Sequence, residues 1–152
     1  MSRRLLVIGY GNPGREDDGL GPALARAVER LGLPGVTCSD GYQLSVEDAV
    51  DVAAHDAVLF ADASLEGEAP CVLSAVAPAA AIAVHSHTLS PGVLMALAHR
   101  HFGPAPPAWQ LAIRGYGFAL REGLTPGGER NLAAALGQAR RLLETLGQEV
   151  AA

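Results

Sequence analysis

Cysteine, clustered positive charge and long apolar runs are what this 152-residue sequence lacks. The two cysteines, Cys38 and Cys71, stand far apart and form no C-x-x-C pair. That excludes a disulfide framework and a cysteine zinc site, and it fits a reduced, cytoplasmic protein. The formal net charge is −5 with a pI near 5.4. A nucleic-acid partner is excluded on this ground, because phosphate backbones select clustered Lys and Arg. The longest run of like charge is Glu16-Asp17-Asp18, so there is no acidic or basic tail. No apolar stretch approaches the roughly 20 residues that a membrane span needs. Arg3 and Arg4 ahead of Leu5–Ile8 imitate a signal peptide, but Gly9, Gly11 and Pro13 cut the apolar run too early for secretion.

What is present reads as a globular chain, 49% hydrophobic and 18% charged. Its length suits one domain spanning residues 1–152. Leu5–Ile8, Val36–Ser39, Ala57–Ala61, Cys71–Val76 and Trp109–Ile113 read as strands. Between them Leu20, Ala23, Leu24, Ala27, Val28 and Leu31 recur at helical spacing, and Gly32 closes that helix. Leu44–Ala54 is weakly helical, Leu89–Phe102 is helical, and Ala77–Ala83 fits neither pattern. Leu132, Leu136, Ala139, Leu142, Leu143 and Leu146 mark a final amphipathic helix, with Thr125 as cap and Pro126 in the first turn. The alternation predicts an α/β three-layer sandwich: a mostly parallel sheet of about five strands with helices on both faces.

Sites in such sheets lie beyond the carboxyl ends of the strands. Asp18 follows the first strand, Asp40 ends the second, and Asp62 ends the third. Three acids at three such ends form the candidate site. The stretch VIGYGNPGREDDGLG (7–21) allows a competing reading, since Gly9, Gly11 and Gly14 spell the G-x-G-x-x-G of a dinucleotide turn. Such a turn needs its helix to open at the glycines, whereas helical periodicity begins only at Leu20, and three acids would repel a pyrophosphate. A third reading makes this a structural turn with solvated acids, and Asp62 a turn cap. Among the histidines, His99 and His101 point in different directions from a helix and His55 ends one beside Asp56, so all three are expected at the surface. His85 and His87 bracket Ser86 and would project to one side of an extended segment. With Asp18 and Asp62, such an imidazole makes a borderline site for nickel, zinc or a similar divalent ion. Cys38, near Asp40, is expected as a buried core thiol.

Gly11-Asn12 followed by Asp17-Asp18-Gly19-x-Gly21-Pro22, then Asp40-Gly41, Phe60-Ala61-Asp62-Ala63 and Ser86-His87 ahead of a leucine-rich helix resembles hydrogenase maturation proteases. The resemblance continues through Ile113-Arg114-Gly115 and Gly123-Leu124-Thr125-Pro126, so it covers nearly the whole chain. It implies a cytoplasmic endopeptidase, expected as a monomer, that removes a C-terminal extension from the precursor of a NiFe hydrogenase large subunit after nickel insertion. The nickel would be that of the substrate subunit, with zinc or cadmium able to substitute in isolation. Matched position by position, Asp18, Asp62 and His87 would engage the metal; the match names no catalytic residue, and Asp18 and Asp40 are only candidates for that role. One departure is Asp40-Gly41-Tyr42, where the family usually shows Asp-Gly-Gly. A non-catalytic, nickel-dependent binding module for the immature subunit is the alternative that keeps the same site. The opening Val7–Gly14 is also similar to peptidyl-tRNA hydrolase, but that family carries a catalytic histidine shortly afterwards, where this chain has acids and no histidine before His55.

Overall fold

The computed structural model describes residues 3–82 and 89–148. Among these, five strands and four α-helices alternate: β1 (Leu5–Tyr10), α1 (Leu20–Leu31), β2 (Val36–Gly41), α2 (Asp48–Ala53), β3 (Ala57–Ser64), β4 (Cys71–Val76), α3 (Pro91–Phe102), β5 (Ala108–Arg114) and α4 (Pro126–Gln148). The strands form one sheet in the order β2-β1-β3-β5-β4. All neighbours run parallel except β4, which pairs antiparallel to β5 at one edge. The expected mostly parallel α/β sandwich is therefore the observed architecture.

Period-two alternation in the strands divides the core. Leu5 and Val7 of β1 with Ala57, Leu59 and Ala61 of β3 face α1 and α4, meeting Leu24, Val28, Ala139 and Leu143. Leu6, Ile8, Val58 and Phe60 face the other way, against Val52 of α2 and Leu94 and Met95 of α3. Both faces of the central strands are sealed, which explains why β1 and β3 read as continuous apolar runs.

Helix ends follow their local chemistry. α1 starts at Leu20 and stops where Gly32 adopts a left-handed conformation (φ 63°). Thr125 caps α4, its Oγ1 accepting from the Gly128 N–H at 3.0 Å, and Ser90 caps α3 by accepting from Val93. The segment read as weakly helical from Leu44 shortens to Asp48–Ala53, and residues 77–82 form neither helix nor strand.

Two strand ends differ from the sequence reading. β3 does not stop before Asp62 but runs on to Ser64, because β5 keeps pairing with it through Asp62↔Ala112 and Ser64↔Arg114 after its pairing with β1 has ended at Ala61. β2 similarly reaches Gly41, opposite Tyr10, so Asp40 lies inside the strand. Order 2-1-3 makes the gap between the carboxyl ends of β1 and β3 the switch point of the sheet, where clefts form.

Candidate active site

The loop after β1 is shaped by its glycines and then filled by acids. A Cβ on Gly9 would run into the Gly21 carbonyl of α1, so the first glycine exists to let helix and strand touch. Gly11, at φ 144°, lies against the Asp18 carbonyl and allows the chain to fold back on itself. A 3-10 turn, Glu16–Gly19, then occupies the place where a dinucleotide turn opens its helix to phosphate. The G-x-G-x-x-G spacing here serves backbone packing.

The three consecutive acids have three different duties. Glu16 accepts from the Ala119 N–H at 3.1 Å. Asp17 is wholly buried and reaches across to the loop before α4. It accepts from Tyr116 N at 2.8 Å, Gly117 N at 3.3 Å, Thr125 N at 2.9 Å and Thr125 Oγ1 at 2.6 Å. Burial alone would raise its pKa, but the Thr125 hydroxyl and the three backbone N–H groups outweigh this and hold it below 3.8. The expectation of solvated acids is thus corrected for Asp17, which is the internal anchor of the loop. Anchoring the middle acid turns Asp18 the other way, toward the switch point, where the Asn12 N–H donates to its Oδ2 at 2.8 Å.

Asp62 enters the same cleft from β3. Its Oδ1 accepts from the Ala63 N–H at 2.8 Å, and the Tyr10 hydroxyl from the end of β1 is its other partner. Burial pushes the Asp62 carboxyl up to about 6; its two hydrogen bonds act against this, and the neighbouring Asp18 charge adds to it. The Tyr10 hydroxyl is raised in turn, first by its own burial and then by Asp62. Two of the three expected metal-binding residues, Asp18 and Asp62, are therefore brought within electrostatic reach of one another. Tyr10 was missed, although its even spacing from Leu6 and Ile8 puts it on the Asp62 side of the sheet.

Asp40 is drawn elsewhere: its Oδ2 accepts from Arg26 Nε of α1 at 2.9 Å. His85 and His87 lie outside the described residues. Among the described residues, no group of three or more His, Cys, Asp or Glu side chains is arranged to hold a metal ion. His99 and His101 are exposed as expected; His55 is half-buried, its Nδ1 2.6 Å from the Asp51 carbonyl. Cys38 packs only half-buried against the core, and burial raises its thiol to about 11.

Over nearly its full length the chain shares the fold of a class of solved structures, the NiFe hydrogenase maturation proteases. Particular members are the hydrogenase maturating endopeptidase HybD from Escherichia coli, at TM-score 0.75 and 25% identity, covering 95% of this chain and 94% of that one. The maturation protease HycI from Thermococcus kodakarensis matches at TM-score 0.70 and 22% identity, covering 95% and 93%. A hydrogenase 2 maturation peptidase from a Thaumarchaeota archaeon gives 0.71 and 21%, covering 93% and 99%. No family model matches the sequence, and no curated protein does. No helix among the described residues is long and apolar enough to cross a membrane.

Proposed function

We propose that this chain is an endopeptidase that removes the C-terminal extension of a NiFe hydrogenase large-subunit precursor once nickel is in place, reading the substrate's nickel with Asp18, Asp62 and His87. The carrying observation is the pairing of Asp18 and Asp62 at the switch point of a sheet with the maturation-protease fold. Two carboxylates are hard oxygen donors, and one imidazole added to them gives a donor set of borderline character that suits a divalent first-row ion. Each carboxylate is pre-oriented by a backbone N–H, Asn12 for Asp18 and Ala63 for Asp62, so little ordering remains when the precursor arrives. A divalent ion between them also cancels the repulsion that two close carboxylates impose on each other.

The nickel belongs to the substrate, and its chemistry is either to mark a finished subunit or to polarise the scissile carbonyl. Of the two candidate carboxylates for accepting a proton from water, Asp18 stands at the switch point, whereas Asp40 is engaged by Arg26. The test is incubation with nickel-loaded precursor and with nickel-free precursor, read by intact mass of the subunit. Loss of the extension from the loaded form alone is expected. A loaded precursor that binds but keeps its full mass would overturn the peptidase reading in favour of a non-catalytic binding module.

A further inference from the structure

Three small cavities lie end to end along the carboxyl edge of the sheet. The first, about 210 Å³, is bounded by Tyr10, Ser39, Asp40, Gln43 and Ser45. The second, about 190 Å³, shares Asp40 and Gly41 with it and adds Gly11, Pro13 and Arg26. The third, about 370 Å³, shares Pro13 and Arg26 with the second and is completed by Ala23, Glu122 and Leu124. Shared lining residues set them side by side in a shallow groove interrupted by those residues, from the α2 side of the sheet to the α1 side over the ends of β1 and β2. The Arg26–Asp40 ion pair stands at its midpoint.

The groove lies beside the candidate site. Tyr10 lines its first cavity and is the hydrogen-bond partner of Asp62; Gly11 lines the second and precedes Asn12, which holds Asp18. Two of the cavities fall below the roughly 300–1,000 Å³ typical of small-molecule pockets, so a string of them suits successive side chains of one extended chain better than one compact ligand. The floor is kept shallow by Gly19, just ahead of α1, and by Pro22 and Ala23, which share one face of that helix with Arg26. Because β2 is the edge strand, the groove is also open at its side.

Resting on the endopeptidase reading above, we infer that this groove seats the precursor's C-terminal extension in extended form, leading away from the scissile bond. The lining sets its chemistry: hydrogen-bonding residues near the bond, opposite Ser39, Gln43 and Ser45, and an apolar residue further along, against Pro13, Ala23 and Leu124. An amide side chain passes between them, where Arg26 can donate to it and Asp40 accept from it.

The test fills the far cavity without touching Asp18, Asp40 or Asp62. Cleavage of nickel-loaded precursor is measured for the wild type, Ala23→Trp and the milder Ala23→Leu, with circular dichroism confirming the fold. The third cavity is blocked in Ala23→Trp, so KM rises about tenfold or more while kcat stays within about twofold, the pattern of lost uniform binding. Ala23→Leu gives a smaller rise in the same direction, and it decides the matter if the tryptophan variant does not fold. KM within about twofold of wild type in every folded variant overturns the groove while leaving the endopeptidase reading intact. Absence of cleavage by the wild type overturns that reading and the groove with it.

Discussion

Replacing Asp62 by asparagine should stabilise the protein at neutral pH while destroying its response to nickel. Burial is the main reason the Asp62 carboxyl sits near 6 rather than 3.8, and the Asp18 charge contributes. In the folded state Asp62 binds its proton more tightly than in the unfolded chain, so between those two values stability falls as pH rises. The penalty is absent below about 3.8 and complete above about 6. Converted directly, the gap is worth about 3 kcal/mol. Asp62 is only half-buried, and solvent screening reduces the realised gain to roughly 1–2 kcal/mol. Asparagine keeps an oxygen for the Ala63 N–H and turns an amide toward the Tyr10 hydroxyl, which can accept from it. Thermal unfolding near pH 7.5 and near pH 4 measures this: the variant gains at the higher pH, by about 2–8 °C in Tm, and loses most of its advantage at the lower. A variant less stable than wild type near pH 7.5, or one with equal gain at both pH values, refutes the reasoning. Calorimetry with nickel completes the test, since wild-type metal binding by Asp62→Asn would remove Asp62 from the metal site.

Asp17→Ala strips four hydrogen bonds from a buried carboxylate and leaves the N–H groups of Tyr116, Gly117 and Thr125 unpaired, so a loss of roughly 3–5 kcal/mol in chemical denaturation is expected. The Asp17 contribution is present above 3.8 and vanishes as pH falls through its lower folded value, opposite in sign to that of Asp62. Gly128→Ala drives a methyl into the same carboxylate and should also lower Tm; an unchanged Tm would mean that the loop has slack the packing denies. His87→Ala should abolish processing of nickel-loaded precursor and His85→Ala and His99→Ala should not, as intact mass will report; processing that survives in His87→Ala withdraws the third ligand. NAD and FAD should leave Tm unmoved, whereas a true dinucleotide site at a hundredfold excess over Kd would add about 2.7 kcal/mol of stability.

The sequence made much of this arrangement visible. Helical spacing from Leu20 and the glycine at 32 located α1 to the residue, and the apolar runs 5–8 and 57–61 marked the two central strands. Asp18 and Asp62 could be anticipated because switch-point geometry depends on strand order, which local patterns constrain. Asp17 could not. Three adjacent acids look alike in sequence, and only the return of the 116–125 loop decides which of them is buried. The continuation of β3 past Asp62 depends on β5, about fifty residues further on, so no local signal announces it. The Arg26–Asp40 pair likewise joins a helix to an edge strand and has no signature in either segment.

The tether between Asp17 and Thr125 also has a temporal meaning. These partners are 108 positions apart, and the backbone links of Glu16 to Arg121 and Asp17 to Gly117 span nearly as much chain. A nascent polypeptide that has emerged only as far as β5 holds Asp18 and Asp62 but lacks the hydrogen-bond donors that turn the acid loop outward. The cleft is consequently incomplete until the chain has been made through Thr125. Truncated or stalled chains are thereby denied a formed cleft.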